Sequence, residues 1–261
     1  MTNFDLLSFA SADELARAAA SAWLDEIETA NRAGKPPCVA LSGGRILQRC
    51  FTAAVELAGQ RQISFGNVHF FWADERCVPP TDPDSNFKLA NELLLLPLKI
   101  GAEKIHRLRG EILPAEAVKI AEAELRRFAG SAGIPAGESG SETRLLAGKD
   151  AGASRLDLVL LGMGEDGHIA SQFPNADPKT LNSPAPFLPV ENSPKPPPRR
   201  ISLSYTAIAD ARQVWALVSG AGKEAAFRES IQPSGRTPLA RVIQSRPPQS
   251  PVKVFTDLAG F

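Results

Sequence analysis

Four times along this chain a short apolar run stops at a glycine or charged turn, and a helical pattern or a polar loop follows. Cys38–Leu41 leads into Ser42-Gly43-Gly44 and a helical stretch from about Arg45 to Ala58. Val68–Trp72 breaks into Asp74-Glu75-Arg76, with a polar loop, Pro79 to Asp84, before a helix starting near Ser85. Leu156–Leu161 ends in Gly162-Met163-Gly164-Glu165-Asp166-Gly167-His168, and Val214–Val218 ends in Gly220-Ala221-Gly222-Lys223 with another helix behind it. Val252–Thr256 predicts a last strand. Strands that are apolar throughout, rather than alternating, have both faces covered, and the intervening helices supply the cover. The expected class is therefore α/β, a mostly parallel sheet with helices on both faces. Ligands of such sheets bind beyond the carboxyl ends of the strands, where all four turns fall.

Other segments fit around this frame. Ser11 and Glu14 form a capping box, and Leu15, Ala19, Ala22, Trp23 and Ile27 mark one face of the helix it starts. Gly34 and Pro36-Pro37 end that helix. A further helix is read around Ala115–Phe128, and a strand at Ile201–Tyr205 follows Arg199-Arg200. Gly130 to Ser154, rich in Gly, Ala and Ser, reads as a mobile surface connection. Pro174 to Pro198 holds nine prolines and reads as a long, stiff loop with no regular element. No boundary divides the chain, so residues 1–261 are read as one domain.

Composition excludes more than it names. The 29 basic and 29 acidic residues balance, which removes the electrostatic reason to expect nucleic acid or a membrane surface as partner. A small anionic substrate needs only a few local cations and stays open. Three cysteines (Cys38, Cys50, Cys77) give neither a disulfide framework nor a CxxC pair, so no metal is expected. The opening MTNFDLLSFASADE has no basic leader and no apolar core, and the runs at Leu93–Leu96 and Leu158–Leu161 are too short to span a bilayer. The reading is a reduced, soluble, cytoplasmic protein.

Gly162 to Gly167 matches the GxGxxG fingerprint, but Glu165 and Asp166 put two carboxylates where a pyrophosphate would approach. A proline-rich stretch follows in place of the second strand, so no dinucleotide cofactor is expected. Gly222-Lys223 lacks the spacing of a phosphate-binding Walker loop. His168 after this turn is read near the start of a short helix, whose positive end favours a neutral ring suited to a general base. Asp166 or Glu165 is placed to orient the ring or hold a water; the plain alternative is a capping turn with an incidental histidine. His69, inside an apolar strand, reads as a hydrogen-bonded core residue, and His106 in a basic stretch as a solvated edge. Asp74-Glu75-Arg76 reads as a site rather than a loop cap, with Arg76 offering a planar fork to a phosphate. Lys223, Arg200 and the free amides of Ser42-Gly43-Gly44 are further anion binders. Together they describe acid–base chemistry on a small phosphorylated molecule, with no cofactor.

The chain resembles the 6-phosphogluconolactonases. The matching blocks are Leu41-Ser42-Gly43-Gly44, Asp74 to Pro79 with Asp84-Ser85-Asn86-Phe87, Leu160 to Pro174, Pro194 to Leu203 (PKPPPRRISL), and Val218 to Ala225, in family order. The resemblance implies a Rossmann-like, doubly wound α/β sandwich shared with sugar-phosphate isomerases and deaminases. It implies hydrolysis of a phosphorylated sugar lactone without metal or organic cofactor. His168 takes the family's base position, with Asp166 and Glu165 beside it. Arg76, Arg200 and Lys223 take anion-binding positions, with Ser42, Gly43, Gly44, Asp74 and Asn86 around the substrate. Two departures stand out: Arg45-Ile46-Leu47 replaces the usual Ser-Thr-Pro after the glycine pair, and Gln172 replaces a leucine. Arg45 either adds a phosphate contact or points to solvent. The competing expectations are an amino-sugar-phosphate deaminase or isomerase on the same fold, and a sugar-phosphate sensor without catalysis. A monomer or small homo-oligomer is expected.

Overall fold

The computed structural model describes residues 3–129 and 155–261. The connection expected at Gly130 to Ser154 lies outside the described residues. Six strands form one parallel sheet: β1 (Phe4–Ser8), β2 (Cys38–Leu41), β3 (His69–Trp72), β5 (Leu158–Gly162), β8 (Gln213–Val218) and β9 (Val252–Thr256), in the order β1-β9-β8-β5-β2-β3. Every residue of β2 and β3 is buried, as are the first four of β5 and the last five of β8. Successive side chains point to opposite faces, so an unbroken buried run means that both faces are covered. β1 is the exception, an edge strand with four of its five residues exposed.

The cover comes from helices that start where the sequence signals them. α1 (Ala12–Arg32) is capped by Ser11, whose Oγ accepts from Glu14 N at 3.2 Å, while the Glu14 carboxylate accepts from Ala10 N at 3.2 Å. Its buried stripe includes Leu15, Ala19, Trp23 and Ile27. Trp23 meets Phe65 edge-on at 5.2 Å between centroids, and truncating such a residue costs about 3–5 kcal/mol. α2 (Arg45–Arg61) packs beside α1 and buries Ile46, Leu47, Cys50, Phe51 and Ala54. α3 (Asn86–Ala90) continues into a π-helical turn, Asn91–Leu95. α4 (Pro114–Ala129) lies against the second sheet. α6 (Tyr205–Asp210), α7 (Glu224–Ser230) and α8 (Pro238–Ser245) complete the set after the short α5 (Pro178–Leu181).

The second sheet is small and antiparallel: β4 (Asp74–Arg76), β7 (Arg200–Leu203) and β6 (Phe187–Val190), in the order β4-β7-β6. Ala73 joins the two sheets. Its N–H donates to Leu41 O in the large sheet at 2.7 Å, and its carbonyl accepts from Leu203 N in the small one at 2.7 Å. The small sheet thus stands at the carboxyl end of β3.

Three local expectations are corrected. The proline-rich segment is not one irregular loop, because it contains α5 and β6. Pro189 is tolerated in β6 because that strand lies at the edge of its sheet, where a missing N–H donor is harmless. Asp74-Glu75-Arg76 is a strand, not a turn. His106 is buried rather than solvated: its Nε2 lies 2.8 Å from His69 Nδ1, and it stacks on Phe71 and Phe128.

Candidate active site

Ser42, Gly43, Gly44, Asp74, Arg76 and Asn86 line one cleft of about 660 Å³ at the carboxyl edge of the parallel sheet. Glu165, His168, Arg200 and Lys223 line it as well. Of the residues expected from the sequence, only Asp166 stands back from the wall, behind His168.

The Ser42-Gly43-Gly44 turn has glycines for two different reasons. Gly44 caps α2 with φ at 108°, a region that side chains avoid. At Gly43 a Cβ would come within 2.0 Å of Asn86 Oδ1. Asn86 cannot yield, since its Nδ2 donates to Asp74 O at 2.9 Å and to Asp74 Oδ1 at 3.1 Å. Asn86 therefore fixes Asp74 and the glycine turn relative to one another. Ser42 Oγ and Arg76 Nε are buried without a hydrogen-bond partner, unusual for polar atoms unless a ligand completes them.

The second wall is built on the small sheet. Glu75 is buried and accepts from Arg76 N, Asn86 N, Phe87 N and Ser85 Oγ at 2.7–3.0 Å. Burial pushes its carboxyl up to about 7 against those four bonds. It pins the loop that carries Asn86 to the strand that carries Arg76. Arg76 Nη1 donates to Asp84 O at 2.6 Å, and Ser171 Oγ donates to Asp74 Oδ2 at 2.6 Å. Arg200 is turned toward its own chain: Nε donates to Pro197 O, Nη2 to Lys195 O and Pro196 O, and Nη1 to Ser171 Oγ, at 3.0–3.4 Å.

His168 Nδ1 lies 2.5 Å from Asp166 Oδ1, and the ring packs on Phe173 with centroids 4.8 Å apart. The expected helix after His168 is absent. Residues 163–172 form tight turns closed by the bridges Met163–Ile169 and Ile169–Gln172. Burial lowers the ring's pKa, opposed by the hydrogen bond and charge of Asp166 and aided by Lys195. Burial works to raise Asp166, but the bond to His168, the charge of His168 and Lys195 outweigh it, and its carboxyl sits below the ordinary range. Burial, then Arg45, lowers Lys223. With Asp166 ionised, the shared proton belongs on Nδ1 and the lone pair is on Nε2.

Three cations in the cleft were not assigned from the sequence: Lys195, Arg45 and Arg49. Lys195 Nζ lies 3.8 Å from Asp166 Oδ1, and Arg45 lines the cleft as an exposed side chain. Lys195 stands within one of the matching blocks, the only signal that could have marked it. Among the described residues no group of His, Cys, Asp and Glu side chains is placed to hold a metal, and no helix is long and apolar enough to cross a membrane.

The model of the family described as glucosamine-6-phosphate isomerases/6-phosphogluconolactonase matches residues 10–251. The chain is 36% identical over 233 residues to a 6-phosphogluconolactonase of Mycobacterium tuberculosis, covering 85% of this chain and 84% of that one. It is 34% identical over 197 residues to one of Haemophilus influenzae, covering 74% and 73%. The solved structure of 6-phosphogluconolactonase from Trypanosoma brucei superposes with a TM-score of 0.76 at 26% identity, over 98% of this chain and 97% of that one. A cleft of this make-up, on this sheet and with these relatives, has one family to belong to: the chain is a member of the glucosamine-6-phosphate isomerase/6-phosphogluconolactonase family.

Proposed function

We propose that this chain hydrolyses 6-phosphoglucono-lactone to 6-phosphogluconate, with His168 as the base. The observation that carries the mechanism is the Asp166–His168 pair, which presents a partly buried imidazole, its pKa lowered by burial, to a cleft rimmed by cations. Arg76 and Lys223 hold the phosphate, both lining the cleft. His168 Nε2 takes a proton from water as the oxygen attacks the lactone carbonyl. The resulting oxyanion needs donors. The amides of Gly164 and Gly167 are spent on His168 O and Gly164 O at 2.9 and 3.0 Å, which favours those of Gly43 and Gly44. The tetrahedral intermediate collapses with cleavage of the bond to the ring oxygen, and the imidazolium returns its proton to that oxygen. Asp166 holds the ring in the productive tautomer and offsets the charge it acquires.

Residues 1–261 are taken as one catalytic domain working in the cytoplasm, as a monomer or small homo-oligomer. Three free thiols, Cys38, Cys50 and Cys77, accord with a reducing compartment. The test generates the lactone in place with a dehydrogenase and follows its disappearance against the spontaneous rate. Acceleration that His168→Ala abolishes is expected. No acceleration, with phosphate ligands still raising the melting temperature, would replace the enzyme with a sugar-phosphate sensor.

A further inference from the structure

The segment Pro194 to Pro198 runs as a strap beside the cleft, to whose wall it gives Lys195, and one side chain holds it down. Arg200 is 3% exposed and spends four of its five N–H groups on the strap carbonyls of Lys195, Pro196 and Pro197 and on Ser171 Oγ. Ser171 passes the link to Asp74. The guanidinium also lies 5.7 Å over the ring of Phe173, which packs on His168. A residue so committed has little left to offer a substrate phosphate. What it delivers instead is Lys195, whose ammonium reaches Asp166 Oδ1 at 3.8 Å.

We propose that Lys195, carried on the strap that Arg200 cinches, is a further active-site residue whose ammonium balances Asp166 and keeps His168 in its neutral, proton-accepting form. Arg200 is then a positioning residue rather than a phosphate anchor. The charged groups facing His168 are Asp166 on its own turn, Asp74 on β4 and Lys195 on the strap. The two carboxylates favour the imidazolium, and Lys195 is the cation that opposes them. Without it the base is protonated over a wider range of pH and idles there. The inference rests on His168 being the base of the proposed hydrolysis.

The chain has three histidines, so protein labelled with 13C-histidine gives a readable titration of His168 whether or not it turns over substrate. Lys195→Met is expected to raise the His168 midpoint, and the acidic limb of kcat/KM with it, by about half a pH unit. Lys195→Arg keeps the charge and leaves both in place. Arg200→Lys keeps its own charge but frees the strap, and shifts the midpoint in the same direction; adding Lys195→Met to it moves the midpoint no further. A midpoint unmoved by Lys195→Met overturns the proposal, and so does a tenfold rise in KM with the pH profile unchanged, which would make Lys195 a substrate anchor. Lys195 is half-exposed, so its variants fold even where Arg200→Lys does not. Absence of lactone hydrolysis by the unaltered protein would defeat the reaction assigned above, while the titration would still decide whether Lys195 balances Asp166.

Discussion

His168 and Asp166 are two residues apart in the chain and 2.5 Å apart in space, Nδ1 to Oδ1, and the same Asp166 oxygen accepts from the His168 N–H at 3.3 Å. One carboxylate thus sets both the ring and its backbone. Asp166→Asn can turn its amide nitrogen to the ring and accept no proton from Nδ1, which places the hydrogen on Nε2, where the base needs a lone pair. The expected loss in kcat is about 10²–10⁴-fold, comparable with His168→Ala, with KM little changed. Steady-state kinetics of the two variants beside one another check this.

Gly164 invites a nucleotide-binding reading in the sequence, and the structure gives it another purpose. A Cβ there would stand 2.0 Å from His168 Cε1 and 2.1 Å from Nδ1. Gly164→Ala is expected to push the imidazole out of place and to reduce kcat by about 10²-fold or more, since small displacements of a reacting group cost that much. The melting temperature should fall only modestly, because the ring can swing toward the open cleft.

In the proposed mechanism phosphate capture divides between Arg76 on β4 and Lys223 before α7. Replacing either by Met removes a charge-assisted hydrogen bond, worth about 1.5–3 kcal/mol, and should raise KM about 10–100-fold with a smaller effect on kcat. A lactone lacking the phosphate should be turned over poorly by the unaltered enzyme and show no such penalty in the variants.

Glu75 ties stability to pH. Its carboxyl rises from the ordinary 4.5 to about 7 on burial, so the folded state holds a proton that the unfolded chain has released. That contribution is complete below about pH 4.5 and is lost as pH rises through 7, a change on the order of 3 kcal/mol. Denaturation midpoints between pH 5 and 8 should therefore fall less steeply in Glu75→Gln than in the parent.

His69 works in the opposite sense. Burial first, then Lys104 and His106, lowers it to about 4, so the folded state excludes a proton that the unfolded chain binds below about pH 6.5. Its contribution is present above that pH and fades as pH falls toward 4. In a histidine NMR titration the His69 resonance should stay at its neutral position down to about pH 5, while the fold is intact.

What the sequence reveals here follows from how local the cause is. The parallel strands are legible because covering both faces demands an unbroken apolar run, and their carboxyl edge then locates the cleft. The small sheet is not. Asp74, Glu75 and Arg76 read as a charged turn, since the partners that let two of them be buried in a strand, Ser171, the Ser85 hydroxyl and the amides of Asn86 and Phe87, lie elsewhere in the chain. β1 escapes notice because it is an exposed edge with a charge in it, and β6 because its proline hides it. His106 sits among basic residues, and contacts with His69, Phe71 and Phe128, none of them close in the chain, take it inside. Lys195 reaches Asp166 from a segment whose carbonyls Arg200 holds, a tertiary cause with no local pattern.

The hand-over at Ala73 bears on how such a scaffold can diversify. One wall of the cleft belongs to the large sheet and the other to the small, and their spacing is held by two main-chain bonds of 2.7 Å on a single residue. No side chain takes part in those bonds. A gauge of this kind is inherited whole, and the size of molecule that fits between the walls is inherited with it. Rim residues such as Arg45, exposed at the mouth of the cleft, can change one at a time without disturbing the frame.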